Sequence, residues 1–151
     1  MTTANAKALG REKRARKASS KSAQRKACDV AFSLWIRSIG VCELAEVDGE
    51  LWVPGAREFP CSGVLQCCHV FTRGYSRTRW SRDPLGSLCG CTSHHVYYTH
   101  RPAHWEAFVV AKLGQAHWDE LRQLAVTPSP TPDYRELLAE IRSWPARSDG
   151  A

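Results

Sequence analysis

The chain has 151 residues, is 43% hydrophobic and carries 21 Lys/Arg against 15 Asp/Glu, a net charge of +6. That length predicts one domain with tails, and a domain of this size buries only a moderate share of its surface, so a staple beyond the apolar core would help it. No run of 18 apolar residues exists to span a membrane, and the polar, basic N-terminus lacks the apolar region of a signal peptide, so a cytoplasmic protein with no membrane partner is expected.

The charge is unevenly spread. Residues 1–27 hold nine Lys/Arg, including Arg14, Arg16 and Lys17, against Glu12 alone, a net +8. The other residues carry twelve basic and fourteen acidic groups, a net −2. The basic character thus belongs to one segment, helical in part or disordered until bound. Such a segment neutralises phosphates and gives sequence-blind affinity for nucleic acid; the alternative is a solvated tail with no partner.

Beyond this tail, Val30, Leu34 and Trp35 recur at helical spacing with Phe32 and Ile36 flanking them, which predicts a helix from about Ser20 to Ser38. Gly40 can supply its left-handed cap. Residues 43–60 read as an insertion, with a hairpin signal in Val47 to Val53 around an Asp-Gly turn. Val64 to Phe71 has strand composition. Residues 72–90, rich in Arg, Ser, Gly and Pro, are expected as an ordered loop. A helix begins near Thr92, and a second after Pro102 places Trp105, Phe108, Val109 and Leu113 on one face. Gly114 interrupts it before Trp118, Leu121 and Leu124 continue the stripe. Thr127 to Pro132 reads as a stiff linker, and Asp133 caps a short helix reaching about Ser143. The division expected is a tail at 1–27, a domain at 28–126 and a linker with a terminal helix at 127–151.

Seven cysteines stand at 28, 42, 61, 67, 68, 89 and 91. In a reducing compartment, clustered Cys beside His reads as metal binding rather than as a disulfide framework. A structural zinc site takes four ligands from two separated pairs. The late pair is Cys91 and His94 at C-x-x-H spacing, with Cys89 as the alternative to Cys91. The early pair is Cys42 and Cys61, whose separation a hairpin can close. Cys67 and Cys68 are adjacent and point to opposite sides of a strand, so at most one joins a given site. Cys28 and one of that pair read as small buried hydrophobes.

The run Leu65 to Arg73 with Arg79-Trp80, the opening Cys28 to Arg37, the Cys91-x-x-His94-His95 cluster and the late His100-x-Pro-x-x-Trp105 motif form a pattern. From about Cys28 to Ala125 the chain resembles phage-type HNH endonucleases related to the NinG recombination proteins. The resemblance implies an α+β domain: a small zinc-stabilised ββα-metal fold with N- and C-terminal helices. It implies that His69 is the general base and that His95 binds a catalytic Mg²⁺ or Mn²⁺. It further implies a phage- or prophage-encoded hydrolase acting on DNA in the cytoplasm of a bacterial host, with branched recombination DNA as substrate, although a nick or linear cut suits the same residues. His94 stands where the family has the second Cys of its late pair, and imidazole serves equally as a zinc ligand. The family's middle Asn, which orients the base, has no counterpart: Gly86 or Pro84 stands there, and Asp83 is the nearest side chain able to replace it. Cys68 precedes His69 where many members carry an acidic metal ligand.

The chemistry asks for these residue types independently. Phosphodiester hydrolysis needs a base of near-neutral pKa and an electrophile on the phosphate. Arginines can grip the backbone bidentately, and Arg73, Arg77, Arg79 and Arg82 lie between the two histidines. The alternatives are a non-catalytic zinc-dependent DNA-binding module, which the missing Asn favours, and a phage packaging or structural accessory protein. His104 and His117 read as surface residues, Trp35, Trp105 and Trp118 as core, and Trp80 as packing the loop against a helix.

Overall fold

The computed structural model describes residues 20–45, 60–75 and 77–148. The expected hairpin at Val47 to Val53 and the basic residues Arg14, Arg16 and Lys17 lie outside them. The described elements run α1 (Lys21–Arg37), β1 (Leu65–His69), β2 (Ser87–Cys91), α2 (Thr92–Thr99), α3 (Pro102–Leu113), α4 (Gln115–Val126) and α5 (Tyr134–Ser143). The architecture is α+β, with a two-stranded antiparallel sheet between two groups of helices.

Helix α1 starts where Ser20 accepts the Ala23 amide at 3.2 Å, satisfying an orphan donor of the first turn. Beyond its end, Gly40 takes φ 80°. The buried face is Cys28, Phe32 and Ile36, one residue per turn. Val30 and Leu34, expected to lead the apolar stripe, are exposed at 51% and 57%. The hydrophobic count around this helix exceeds what one face needs, so periodicity alone leaves its rotation open.

In the sheet, β1 and β2 pair from Leu65 opposite Cys91 to His69 opposite Ser87. The second strand falls in the stretch expected as loop. Its five residues are all buried, so no polar alternation marks it, and its small side chains with Gly90 carry little strand propensity. Residues 42–44 lie along the other side of β2: the Glu43 amide donates to the Cys89 carbonyl at 2.7 Å, and the Cys89 amide returns a bond to Glu43 Oε2 at 2.7 Å. Gly90 admits this segment, because a Cβ there would collide with Leu44 Cδ1 and Cys68 Sγ.

The strand period of two sends alternate residues into two cores. Cys68, Val70 and Leu88 join Leu44, Tyr97, Tyr98, Phe108, Val109, Trp118 and Leu121 beneath α2, α3 and α4. On the other side, Cys89, with Leu65 and Cys67 packed alongside, meets Cys28, Phe32, Ile36 and Trp80 from α1 and its neighbouring loop, together with Ile141 of α5. Cys67 and Cys68 thus point apart as expected, each into apolar surroundings.

The segment at 127–151 is more than a linker with an appended helix. Asp133 caps α5 by accepting the Arg135 and Glu136 amides at 2.8 and 3.3 Å. α5 packs on α1 through Ile141, Leu137 and Leu138. The residues after it return to the sheet: Trp35 Nε1 donates to the Pro145 carbonyl at 2.9 Å, and Arg147 grips Glu43 with two bonds of 2.8 and 3.0 Å. Both side chains of that pair are more than nine-tenths buried. Removing one partner strands a buried charge. Arg147→Ala should therefore lower the unfolding free energy by about 3 kcal/mol, and Arg147→Lys should recover part of it, because ammonium cannot reproduce the two-pronged geometry. Urea denaturation checks this, and a loss below about 0.5 kcal/mol, the size expected of an exposed pair, would contradict it.

Candidate metal centre and cleft

β2 ends at Cys91, which also caps α2 by accepting the His94 amide on its sulfur at 3.5 Å. One helical turn later His94 folds back over the same point. Cys42 arrives from the segment beside β2, where the Cys91 amide donates to Cys42 Sγ at 3.1 Å. Cys61 comes from the approach to β1, held near α2 by the Ser93 amide on Ser62 Oγ and the Thr92 amide on the Val64 carbonyl.

The ligand atoms of Cys42, Cys61, Cys91 and His94 lie within 4.8 Å of one another. His94 Nδ1 stands 3.5, 3.7 and 3.2 Å from the three sulfurs. Tetrahedral zinc with its usual bond lengths places sulfur and nitrogen ligands about 3.5 Å apart. The four residues can hold a metal ion, and three thiols with one imidazole are the donor set of a structural zinc site. Burial opposes ionisation of Cys91, but amide bonds from His94 and Ser62, with the Ser62 hydroxyl and the Cys42 side chain, outweigh it and bring its pKa to about 6. Burial pushes Cys42 up to about 12; metal binding would require its thiolate.

Cys89, the alternative ligand, stays outside the cluster. It sits one pleat repeat back along β2, about 7 Å on strand geometry, and is fully buried against Cys28, Phe32 and Ile36.

A cleft of about 670 Å³ runs along β1. Every residue from Leu65 to Val70 lines it, so it follows the strand edge that no described strand pairs with. α1 contributes Asp29, Ser33 and Arg37, the loop after β1 contributes Thr72 and Arg73, and α2 contributes His95. His69 and His95 thus reach one cavity from different elements.

The His69 ring lies nearly parallel to Phe32, with centroids 6.1 Å apart and planes inclined by 14°. Its Nδ1 is 2.9 Å from Ser87 Oγ across the sheet. Burial, then the positive charges of Arg73 and Arg79, lower its pKa to about 4. Gln66 Nε2 donates to Thr92 Oγ1 at 2.9 Å, which turns Gln66 Oε1 toward His95 Nδ1 at 2.6 Å. Nδ1 of His95 therefore carries the proton and Nε2 keeps its lone pair. Burial and Arg73 lower the His95 pKa as well.

The four loop arginines separate on inspection. Arg73 is exposed and lines the cleft. Arg79, expected on DNA, is bound internally: its Nε and Nη2 meet the two Asp29 oxygens at 2.8 and 2.7 Å, and its Nη1 meets the Arg73 carbonyl. Arg82 lies over the Trp144 ring at 5.5 Å. Arg77 is exposed and lines no part of the cleft. Asp83, expected to orient the base, is exposed beside Pro84 and does not line the cleft; the side chain on His69 Nδ1 is Ser87. Trp80 packs inward, its Nε1 donating to Asp29 at 3.0 Å. His104 is exposed, with Nδ1 3.0 Å from the Tyr97 hydroxyl, whereas His117 is half-buried on the Leu85 carbonyl.

For a catalytic Mg²⁺ or Mn²⁺ the described residues offer little. Such ions prefer several oxygen ligands. The cleft supplies the His95 imidazole, while its carboxylate, Asp29, is committed to Arg79. Among the described residues, the Cys/His group is the one metal-ligating cluster.

Asp29, Arg37, Gln66 and Ser87 are the cleft and site residues that sequence reasoning passed over. The spacing of Asp29, Ser33 and Arg37, four residues apart, marks a polar stripe on α1 that was available to be read. No family model, curated protein or solved structure matches this chain.

Cys42→Ser and Cys61→Ser should each release zinc and unfold the domain, because folding and metal binding are coupled in small sites; Cys89→Ser should keep full zinc content. Elemental analysis with circular dichroism decides it, and undiminished zinc in the first two variants would overturn the assignment. His69 should stay neutral on acidification to near pH 5, as ¹⁵N imidazole shifts would report. The unfolded chain takes up this proton near pH 6.5 and the folded one near pH 4. His69 therefore contributes a loss of stability as pH falls across that window. A midpoint near 6.5 in the folded protein would contradict the burial argument.

Proposed function

We propose that this chain is an HNH-type endonuclease that hydrolyses phosphodiester bonds in DNA, with zinc in a structural role. The observation that carries the reading is the shared cleft: two histidines from different elements, with the guanidinium groups of Arg37 and Arg73 in the same lining. Arg79 cancels Asp29, so Arg37 and Arg73 leave the cleft net positive. A polyanion is the complementary ligand. Neutral His69 accepts the proton of the attacking water, and Arg37 and Arg73 hold the phosphate. A divalent cation at this site would polarise a phosphoryl oxygen, and His95 is the residue that would hold it. The basic segment at 1–27 adds affinity without reading sequence. The resemblance to NinG-related proteins extends the proposal to branched recombination DNA and to a phage or prophage source.

A zinc-dependent module that binds DNA without cutting it is the second reading, favoured by the lack of a free carboxylate among the described residues of the cleft. Incubation of the full chain with supercoiled plasmid and Mg²⁺ or Mn²⁺ separates the two. The expected outcome is a metal-dependent nick or cut that His69→Ala reduces by about 100-fold or more, with DNA binding unchanged. Binding without product in the wild type would establish the second reading.

A further inference from the structure

We infer that Ser87 is the positioning residue for His69, holding the proton on Nδ1 so that Nε2 is the nitrogen left to act. This deepens the proposed function, since it concerns the same base. The sequence offers no Asn at the place where the resemblance requires an orienting group, and Asp83 lies at the surface. The register supplies another. His69 and Ser87 are the terminal pair of the two-stranded ladder, directly opposite each other. Ser87 is fully buried, and its Oγ is 2.9 Å from His69 Nδ1.

The geometry leaves two arrangements, and the neighbours choose between them. In one, the hydroxyl donates to a bare Nδ1 and the ring proton sits on Nε2, which then has no lone pair with which to accept another. In the other, Nδ1–H donates to Ser87 Oγ and the hydroxyl proton goes elsewhere. Cys67, on the same face of β1 two residues before His69, bears on the choice. Its Sγ stands 3.9 Å from His69 Nε2. Burial keeps Cys67 a thiol, with a pKa of about 11, so the thiol has a proton of its own to offer. The contacts on the two nitrogens then pair as Nδ1–H of His69 to Ser87 Oγ and S–H of Cys67 toward the lone pair on Nε2. The opposite tautomer would face the thiol, which has a proton of its own to donate, with an N–H. Phe32, stacked on the imidazole, restricts the ring flip that would exchange the two nitrogens. Serine thus does with a side chain across the sheet what an orienting amide would do, and the thiol is a weak partner that a phosphate-bound water can displace from Nε2.

The test is the tautomer itself, read from long-range ¹H–¹⁵N correlations of the imidazole in the full-length, zinc-loaded protein at pH 7. The wild type should show His69 protonated on Nδ1. Ser87→Ala should shift the population toward the Nε2–H form, and Ser87→Thr, which retains the hydroxyl, should restore it. In the cleavage assay Ser87→Ala should lower kcat by roughly 100-fold with little change in KM. A wild-type His69 protonated on Nε2 overturns the inference without any variant, so a Ser87→Ala protein that fails to fold does not shield it. An unchanged tautomer in a folded Ser87→Ala protein overturns it equally. If the wild type cuts no DNA but the tautomer follows Ser87, the nuclease reading fails and the positioning role stands.

Discussion

The convergence of three thiols and one imidazole at the end of β2 is the constraint on which the rest of the molecule depends. Those four groups come from three separate stretches of chain, and nothing else in the described structure ties all of them to one point. Cys61 is exposed and Cys42 only half-buried, so apolar packing alone is too weak to hold them. A structural zinc ion contributes on the order of 10–16 kcal/mol, which is as large as the entire net stability of a small domain, about 5–15 kcal/mol. An ion bound by these four residues would therefore join Cys42 to Cys61. That closure would set the approach to β1 and, through the Thr92 to Val64 hydrogen bond, where that strand starts opposite β2.

From that fixed start the strand period of two distributes the chemistry. Leu65, Cys67 and His69 turn toward α1 and α5, whereas Cys68 and Val70 turn toward α2, α3 and α4. A slip of one residue would move His69 into the other core and set Cys68 among the groups that now surround the imidazole. Two strands give a weak ladder by themselves. Here the register is held at one end by the metal cluster, in the middle by Gly90 under Leu44, and at the far end by His69 against Ser87. The C-terminal segment adds a further lock, since Arg147 neutralises the glutamate that bonds the Cys89 amide.

Much of this was legible in the residues and some was not. The four ligands could be read because soft donors seldom occur in separated pairs without a cation, and C-x-x-H at a helix start places both groups on one turn. The helices could be read from capping residues such as Ser20 and Asp133. β2 could not, because a fully buried strand of small residues lacks the alternation that marks a half-exposed one. The rotation of α1 is hidden in the sequence for a related reason: Val30 and Leu34 are as apolar as Phe32 and Ile36, and only the partner surface chooses among them. Arg79 looks like its neighbours in the loop until Asp29, fifty residues earlier in the chain, is seen to take both of its prongs. Ser87 and Gln66 become visible only through register, which no local pattern encodes.

If His69 is the base of the proposed reaction, the charges around it bear on how a group with so low a pKa would serve at neutral pH. Burial and the fields of Arg73 and Arg79 keep the imidazole neutral, which preserves the lone pair but weakens its hold on a proton. On the proposed reading, Arg73 also meets the phosphate. An arriving phosphodiester cancels part of the positive field that Arg73 exerts on His69, and the proton affinity of the ring rises as the substrate settles. By linkage, a protonated His69 favours the bound anion in the same measure. On that reading the ring is a poor proton acceptor in the empty cleft and a better one beside a bound phosphodiester. Asp29 bounds the effect, for by neutralising Arg79 it leaves a field that one phosphate charge can substantially offset.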